Sequence, residues 1–138
     1  MYTTLLGFDF GTKRIGVAVG QTITRTARGL VTLNYQSSTE FWPSVDQLIQ
    51  EWRPQLLVLG LPLNMDGTEQ WITDYVKEFG QMLHQRTGLP VEYMDERLTT
   101  REARSQIFDK GGYRALQKEA VDAVAAATIV ESWMEDNV

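Results

Sequence analysis

Residues 4–20, TLLGFDFGTKRIGVAVG, contain two apolar runs joined by a turn, and Asp9 places a carboxylate near the end of the first run. Thr4–Phe10 and Arg14–Gly20 have strand length, and the link Gly11-Thr12-Lys13 is short enough to make them an antiparallel hairpin. An ionised carboxylate in an apolar strand is costly to desolvate unless it is paired or binds a metal. Asp9 could instead cap the following turn, since Asp is a common turn residue. The apolar residues on both sides favour a functional role.

After the hairpin, the sequence predicts a third strand and then helices that alternate with strands. In chain order these are strand Ala27–Asn34, helix Pro43–Trp52, strand Gln55–Gly60, helix Glu69–Arg86, strand Val91–Met94, a helix that begins at Thr99, and a last helix Leu116–Met134. A meander followed by this alternation predicts an α/β fold, with a mixed sheet covered by helices on both faces. The 138 residues show no linker, so a single domain, residues 1–138, is expected.

Composition limits the chemistry open to the chain. It has no cysteine, which excludes disulfides, a thiol nucleophile and thiolate metal sites, and its one histidine, His84, is predicted at the surface. No signal peptide pattern or membrane-spanning apolar run is found, so we expect a cytoplasmic protein without a membrane partner. Net charge is −5, yet residues 10–39 hold four basic residues and no acid, and residues 97–118 hold six basic residues against two acids. This clustering predicts a positive face, although ordinary surface charge could produce it too.

Two further acidic positions stand out beside Asp9. Asp122 lies in AVDAVAAA, the most apolar part of the last helix, and too far from the helix start to act on its first turn. Asp95 and Glu96 follow a predicted strand, where ligands of such sheets bind. An exposed acidic loop between a strand and a helix would have the same sequence pattern. Periodicity does not show which of Asp95 and Glu96 would belong to a site. Carboxylate oxygens select Mg²⁺ or Mn²⁺, and two such ions can hydrolyse a phosphodiester. These residues therefore predict a metal-dependent nuclease.

Four stretches of the chain closely resemble the YqgF (RuvX) family. They are Phe8–Val19 (FDFGTKRIGVAV), Gly60–Glu69 (GLPLNMDGTE), Asp95–Thr100 (DERLTT) and Lys110–Glu131 (KGGYRALQKEAVDAVAAATIVE). The resemblance implies a ribonuclease-H-like fold with a five-stranded mixed sheet of order 3-2-1-4-5, in which strand 2 is antiparallel. It also implies that Asp9, Glu96 and Asp122 are the catalytic and metal-binding acids, which chooses Glu96 over Asp95.

The chain departs from the wider superfamily at the end of the fourth strand. An acid is usual there, but this chain has Gly60-Leu61-Pro62. A site of three carboxylates is therefore expected to hold two ions, of which the second enters with substrate.

Substrate-binding residues are predicted in the basic segments and in two loops. The predicted set is Lys13, Arg14, Asn64, Arg97, Lys110, Tyr113, Arg114 and Lys118. Residues 109–118 combine basic side chains, an aromatic residue and two glycines, which suits phosphate contact and base stacking, although a solvated loop is the alternative. Residues 60–67 could position a phosphate or a metal-bound water through Asn64, or could simply open the next helix with Thr68 as its N-cap.

The resemblance implies a nuclease that processes the 5′ end of the 16S rRNA precursor. Structured RNA is thus the first expected partner, with ribosome association, as a monomer or weak dimer. The alternative is a Holliday junction resolvase acting on branched DNA, which normally requires a two-fold dimer. Two less favoured functions are a nucleotide-binding domain, because residues 9–12 resemble a phosphate loop of the actin, Hsp70 and sugar-kinase fold, and a non-catalytic nucleic-acid-binding module.

Overall fold

The structure is a computed structural model that describes residues 3–36, 38–64, 66–95 and 118–138. Within these ranges the chain forms five strands and three helices. They are β1 (Thr4–Asp9), β2 (Arg14–Gln21), β3 (Thr26–Asn34), α1 (Ser38–Trp52), β4 (Leu56–Leu61), α2 (Thr73–Thr87), β5 (Val91–Asp95) and α3 (Lys118–Asn137). All five predicted strands are confirmed, and the helix predicted from Thr99 lies outside the described residues.

The five strands form one sheet of order β3-β2-β1-β4-β5, as the family resemblance implies. Strand β2 is antiparallel to both of its neighbours, whereas β1, β4 and β5 run parallel to one another. The carboxyl ends of these three parallel strands therefore meet at one edge of the sheet. Asp9 ends β1 at this edge, Leu61 ends β4 and Asp95 ends β5.

Helices cover both faces of the sheet. Because side chains alternate along a strand, Leu6 and Phe8 of β1 face α1 and α2, in a core cluster that includes Phe41 and Phe79. Leu5 faces the other way and packs with Val130 and other residues of α3. The apolar runs of β1 and β4 are thus explained by burial on both faces. No helix in the described ranges is long and apolar enough to cross a membrane.

The predicted start of the first helix at Pro43 is wrong, because α1 begins at Ser38. Proline is well tolerated in a first turn, which favours Pro43 as the start of a helix, but it lies inside the helix. The added turn carries Phe41, which is 1% exposed and packs edge-to-face on Tyr35, with ring centroids 4.8 Å apart. Burial of this ring accounts for a helical turn before the proline.

The predicted start of the second helix at Glu69, with Thr68 as N-cap, is also wrong. Helix α2 begins at Thr73, and Thr68 instead donates two hydrogen bonds, from its N–H and from its hydroxyl, to the Asp66 carboxylate within the preceding loop. The Thr73 hydroxyl donates to the Pro62 carbonyl oxygen at 2.7 Å, which ties the helix start to the end of β4. The predicted helix end is confirmed, since Gly88 adopts the left-handed conformation and its N–H donates to the His84 carbonyl oxygen.

Candidate active site

Asp9 lies at the carboxyl end of β1, partly buried, with Gly16 of β2 as its register partner. Alternation along β1 places Asp9 on the same face as Leu5 and Gly7, which is the face covered by α3. The strand is buried before Asp9, so its backbone is fixed by hydrogen bonds to both neighbouring strands. This carboxylate therefore lies at the end of a buried strand that is paired on both sides.

Asp122 is brought to the same place by the close approach of α3 to the sheet. A methyl group built on Gly16 would overlap the backbone carbonyl of Asp122, and one built on Gly7 would overlap the Val130 side chain. The absence of side chains at these two positions lets the helix backbone lie directly against β1 and β2. Because Asp9 is paired with Gly16, the two aspartates occupy the same end of the same face.

Arg14 contributes a cation to this pair of acids. It begins β2, and its Nε lies 3.5 Å from Oδ2 of Asp122, with 32% of the Arg14 side chain and 26% of the Asp122 side chain exposed. A half-buried ion pair of this length partly neutralises the acidic site while leaving both groups open to solvent. Arg14 was predicted to bind substrate, and the structure places it beside the proposed catalytic acid.

Met94 and Asp95, the last two residues of β5, lie on opposite faces of the sheet. Tyr93 packs against Gly80 of α2, so alternation places Asp95 on the α2 face, away from Asp9 and Asp122. Met94 packs in the α3-face cluster instead. Glu96 lies outside the described residues, and its place in the site remains a prediction.

The loop after β4 is closed by its own hydrogen bonds. The side-chain amide of Asn64 donates to the Thr68 hydroxyl at 3.0 Å and to the Glu69 carbonyl oxygen at 3.3 Å, while the Asn64 N–H donates to the Thr68 carbonyl oxygen. Both amide hydrogens of Asn64 are thus used to shape the loop. Its predicted contact with substrate would require an exchange of these bonds or use of the amide oxygen.

The other predicted binding residues divide into two groups. Lys13 is exposed in the β1–β2 turn, next to Arg14. Those outside the described residues, or described only by their backbone, are Arg97, Lys110, Tyr113, Arg114 and Lys118. Among the described residues, no group of three or more acids or histidines is placed to hold a metal ion. Asp9 and Asp122, two of the three proposed metal ligands, lie within the described residues, and Glu96 does not.

The four basic residues of segment 10–39, which is one part of the predicted positive face, do not all lie on one surface. Arg25 lies in the β2–β3 turn, about 25 Å from Lys13 along an eight-residue strand, and donates to the Val138 carbonyl oxygen. Arg28 stacks over the Trp52 ring of α1 at 5.6 Å, on the opposite face of the sheet from α3. Only the Lys13–Arg14 part of this segment adjoins Asp9.

His84, predicted at the surface, is exposed near the end of α2, and its Nδ1 lies 2.7 Å from the Leu89 carbonyl oxygen. It therefore sits before the amino end of β5, at the opposite edge of the sheet from Asp9. Sequence reasoning missed the contribution of Gly7 and Gly16. The signal was present, because glycines recur on one face of β1 and β2 while α3 is rich in alanine.

The family profile described as "RuvX: Holliday junction resolvase" matches residues 3–136. The chain belongs to the RuvX family. It is 53% identical over 133 residues to a protein of Aeromonas hydrophila named "Putative pre-16S rRNA nuclease", covering 96% of this chain and 95% of that protein. A Haemophilus ducreyi protein of the same name is 51% identical over 137 residues, covering 99% of each chain. The expected family membership is confirmed.

Solved structures with the same fold include RuvC and proteins named as Holliday junction resolvases. Thermus thermophilus RuvC in complex with a Holliday junction has a TM-score of 0.60 and 17% identity, covering 97% of this chain and 94% of that one. The yeast mitochondrial Holliday junction resolvase Ydc2 has a TM-score of 0.58 and 12% identity, covering 96% and 78%. At these identities the likeness confirms the ribonuclease-H-like fold. The family and its curated relatives make the RuvX chain a nuclease.

Proposed function

We propose that this RuvX chain processes the 5′ end of the 16S rRNA precursor by metal-dependent hydrolysis, with Asp9, Glu96 and Asp122 as its catalytic and metal-binding acids. One observation carries the proposal: Asp9 and Asp122 lie at the same end of the same sheet face, 113 positions apart in sequence. Relatives at 51–53% identity with a pre-16S rRNA nuclease name support RNA as the substrate. The work would take place in the cytoplasm, on ribosome assembly intermediates.

The residues present fit a hard divalent cation. Asp9 and Asp122 offer carboxylate oxygens at a partly exposed position, and Glu96 would add a third carboxylate from the end of β5. Oxygen-only ligands of this kind suit Mg²⁺ or Mn²⁺. When bound, two such ions would supply an activated water and stabilise the leaving oxygen of the phosphodiester, the second of them entering with substrate.

The chain's own residues position the reacting groups. Asp9 is held by the central strand, and Asp122 is held by α3 against Gly16, so neither carboxylate depends on a loop for its place. The Arg14 guanidinium offsets the charge of Asp122 and can turn from it to a phosphate oxygen, because guanidinium binds carboxylate and phosphate with the same planar donors. Lys13 and Arg14 thereby bring the substrate backbone to Asp9.

The remaining predicted contacts extend this path along the substrate. Arg97, Lys110, Arg114 and Lys118 would bind phosphates, and Tyr113 would stack on an unpaired base. A structured RNA offers both features, and a ribosomal precursor particle presents such RNA.

A second candidate is resolution of Holliday junctions. The description of the family profile and the fold shared with RuvC favour it. A resolvase must cut two strands symmetrically and therefore acts as a two-fold dimer. Sedimentation with and without junction DNA separates the two candidates, because processing of a single RNA end requires only a monomer or weak dimer.

The test compares cleavage of small-subunit precursor RNA and of junction DNA by three proteins, in Mg²⁺ and in Mn²⁺. They are the wild type, Asp9→Asn and Asp95→Asn. Asp9→Asn should lower the cleavage rate at least ~10³-fold, because it removes a metal ligand. It should leave RNA affinity similar or higher, because it also removes a charge that repels phosphate. Asp95→Asn is the matched control, since it removes the same charge from the opposite face and should cleave normally.

Cleavage by Asp9→Asn at the wild-type rate would contradict the proposed site. Loss of activity in Asp95→Asn but not in Asp9→Asn would place the metal on the other face of the sheet. Faster cleavage of junction DNA than of precursor RNA, together with a dimer on the junction, would favour the second candidate.

A further inference from the structure

Two aromatic side chains are displayed on the surface at the start of α2. Trp71 is 72% exposed and Tyr75 is 52% exposed, and their rings form an edge-to-face pair with centroids 6.1 Å apart. The large rings Phe8, Phe41 and Phe79 are all buried to within 1% of full coverage. The exposed pair contributes little to the core, and exposed aromatic patches of this kind mark interaction surfaces.

Acidic side chains surround the exposed pair. Asp74 and Glu78 of α2 line the same stripe of surface as Tyr75 and as Trp71, which precedes the helix. The one base among them, Lys77, is bound through its Nζ to the Glu69 carboxylate. The Glu69 hydrogen bond raises the pKa of Lys77, so this ammonium stays charged and directed at Glu69. The patch as a whole is therefore aromatic and acidic.

An open groove of about 580 Å³ runs along this stripe. It is lined by Trp71, Asp74, Tyr75, Lys77, Glu78 and Gln81. The stripe begins beside the loop that follows β4, and thus near the sheet edge where Asp9 lies, but on the face covered by α2. A partner bound here would sit next to the nuclease site without covering it.

Charge decides which partner the groove fits. Nucleic acid would bring phosphates against Asp74 and Glu78, and a second copy on a two-fold axis would bring the same acids against each other. A basic segment has the opposite sign, and an arginine guanidinium both stacks on an aromatic face and pairs with carboxylates. We infer that the groove formed by Trp71, Tyr75, Asp74 and Glu78 docks an arginine-bearing segment of a basic protein. This binding site is separate from the nuclease site and does not depend on its activity.

The probe is a short fluorescein-labelled peptide of repeating Gly-Arg-Leu, with binding followed by anisotropy. The double variant Trp71→Ala with Tyr75→Ala should weaken binding at least ~10-fold, because it removes the stacking surface. Asp74→Asn with Glu78→Gln should weaken it ~5-fold and remove most of its salt dependence. A Gly-Lys-Leu peptide should bind more weakly than the arginine peptide, and a Gly-Glu-Leu peptide should not bind.

The matched control is Ile23→Ala, which removes an apolar side chain that is 83% exposed in the β2–β3 turn, at the other end of the sheet. Its affinity for the arginine peptide should equal that of the wild type. Thermal unfolding checks that each variant is folded. If the Trp71→Ala, Tyr75→Ala variant does not fold, the Asp74→Asn, Glu78→Gln variant still tests the groove.

Three results would overturn the inference. The first is no binding of the arginine peptide, or binding that neither double variant weakens. The second is binding of labelled oligouridine that the Trp71→Ala, Tyr75→Ala variant weakens, which would make the patch a nucleic-acid surface. The third is a concentration-dependent dimer of the wild type that this variant abolishes, which would make the occupant a second copy of the chain.

Discussion

The two faces of the sheet are packed in opposite ways. On the α1–α2 face, five aromatic rings lie with their centroids 5.2–6.2 Å from that of Phe79, namely Phe8, Phe10, Tyr35, Phe41 and Trp42. On the α3 face, Gly7 and Gly20 of the strands lie against the Val130 side chain, Gly16 lies against the Asp122 backbone, and Ala18 packs with alanines of the helix. Large rings bury much apolar area but keep the helix axis away from the sheet. Small residues bury less area and bring the helix backbone close.

The two faces therefore have different roles: the aromatic face mainly stabilises the fold, and the α3 face positions the proposed catalytic acids. An aspartate side chain is short, so carboxylates on a strand and on a helix can converge only where the two backbones nearly touch. The α3 face provides that contact at Gly16, and the proposed catalytic acids lie there. The aromatic face carries none of the three proposed catalytic acids among its described residues and supplies most of the buried aromatic area. We therefore expect substitutions on the two faces to have different signatures.

Phe79→Ala should have the largest effect on stability. The side chain is 1% exposed and lies at the centre of the aromatic cluster, so its removal should cost about 4 kcal/mol of the free energy of unfolding. Cleavage per folded molecule should change little, because the ring lies on the other face from Asp9. Urea unfolding and a cleavage assay below the unfolding transition measure both quantities. Phe79→Leu is the control and should cost under ~1.5 kcal/mol. A selective loss of cleavage in either variant would contradict the division between the faces.

Gly16→Ala should have a smaller effect on stability and a larger one on activity. The added methyl meets the Asp122 backbone, which cannot move aside as a flexible side chain can, so about 2 kcal/mol of stability is expected to be lost. Displacement of α3 by even about 1 Å should lower the cleavage rate ~10²-fold, because it moves Asp122 away from Asp9.

Gly80→Ala is the matched control for this variant. Its methyl would meet the end of the Tyr93 side chain, which is 40% exposed and can shift, on the aromatic face. We expect normal cleavage by this protein. Equal activity of Gly16→Ala and Gly80→Ala would show that the close approach of α3 does not position the site.

Asp46→Asn should have the smallest effect, on the outer surface of the aromatic face. Arg86 of α2 donates two hydrogen bonds to the Asp46 carboxylate of α1, at 2.8 and 3.0 Å. Hydrogen bonding by Arg86 is the main cause that lowers the pKa of Asp46. Because both side chains are over 40% exposed, solvent screening limits the loss to under ~1 kcal/mol. A lowered folded pKa means that the stabilisation is present above the unfolded value, about 4, and is lost as pH falls through the folded value.

Urea unfolding of the wild type and Asp46→Asn between pH 7 and pH 2 measures this effect. The difference between them should shrink below about pH 4. A difference that stays constant across the range would mean that the ion pair is not its cause.

Strand positions were predictable because β1, β2 and β4 are short apolar runs bounded by turn residues. Helix starts were not, because they depend on contacts distant in sequence. The packing of Phe41 on Phe79 accompanies a helical turn before Pro43. The hydrogen bonds between Asp66 and Thr68 hold these residues in a loop, and α2 begins at Thr73. The pairing of Arg14 with Asp122 spans 108 residues and has no local signal.

Local sequence features predict the strands and the two acids that stand out as charges in apolar runs, because hydrophobic periodicity and the cost of burying a carboxylate are local properties. The family follows from four motifs spread along the chain. Long-range packing is what brings Asp9 and Asp122 to the same end of one sheet face, places Asp95 on the other face and sets Arg14 beside Asp122. These depend on strand register and on how closely α3 packs against Gly16, and no window of sequence contains both partners of such a contact.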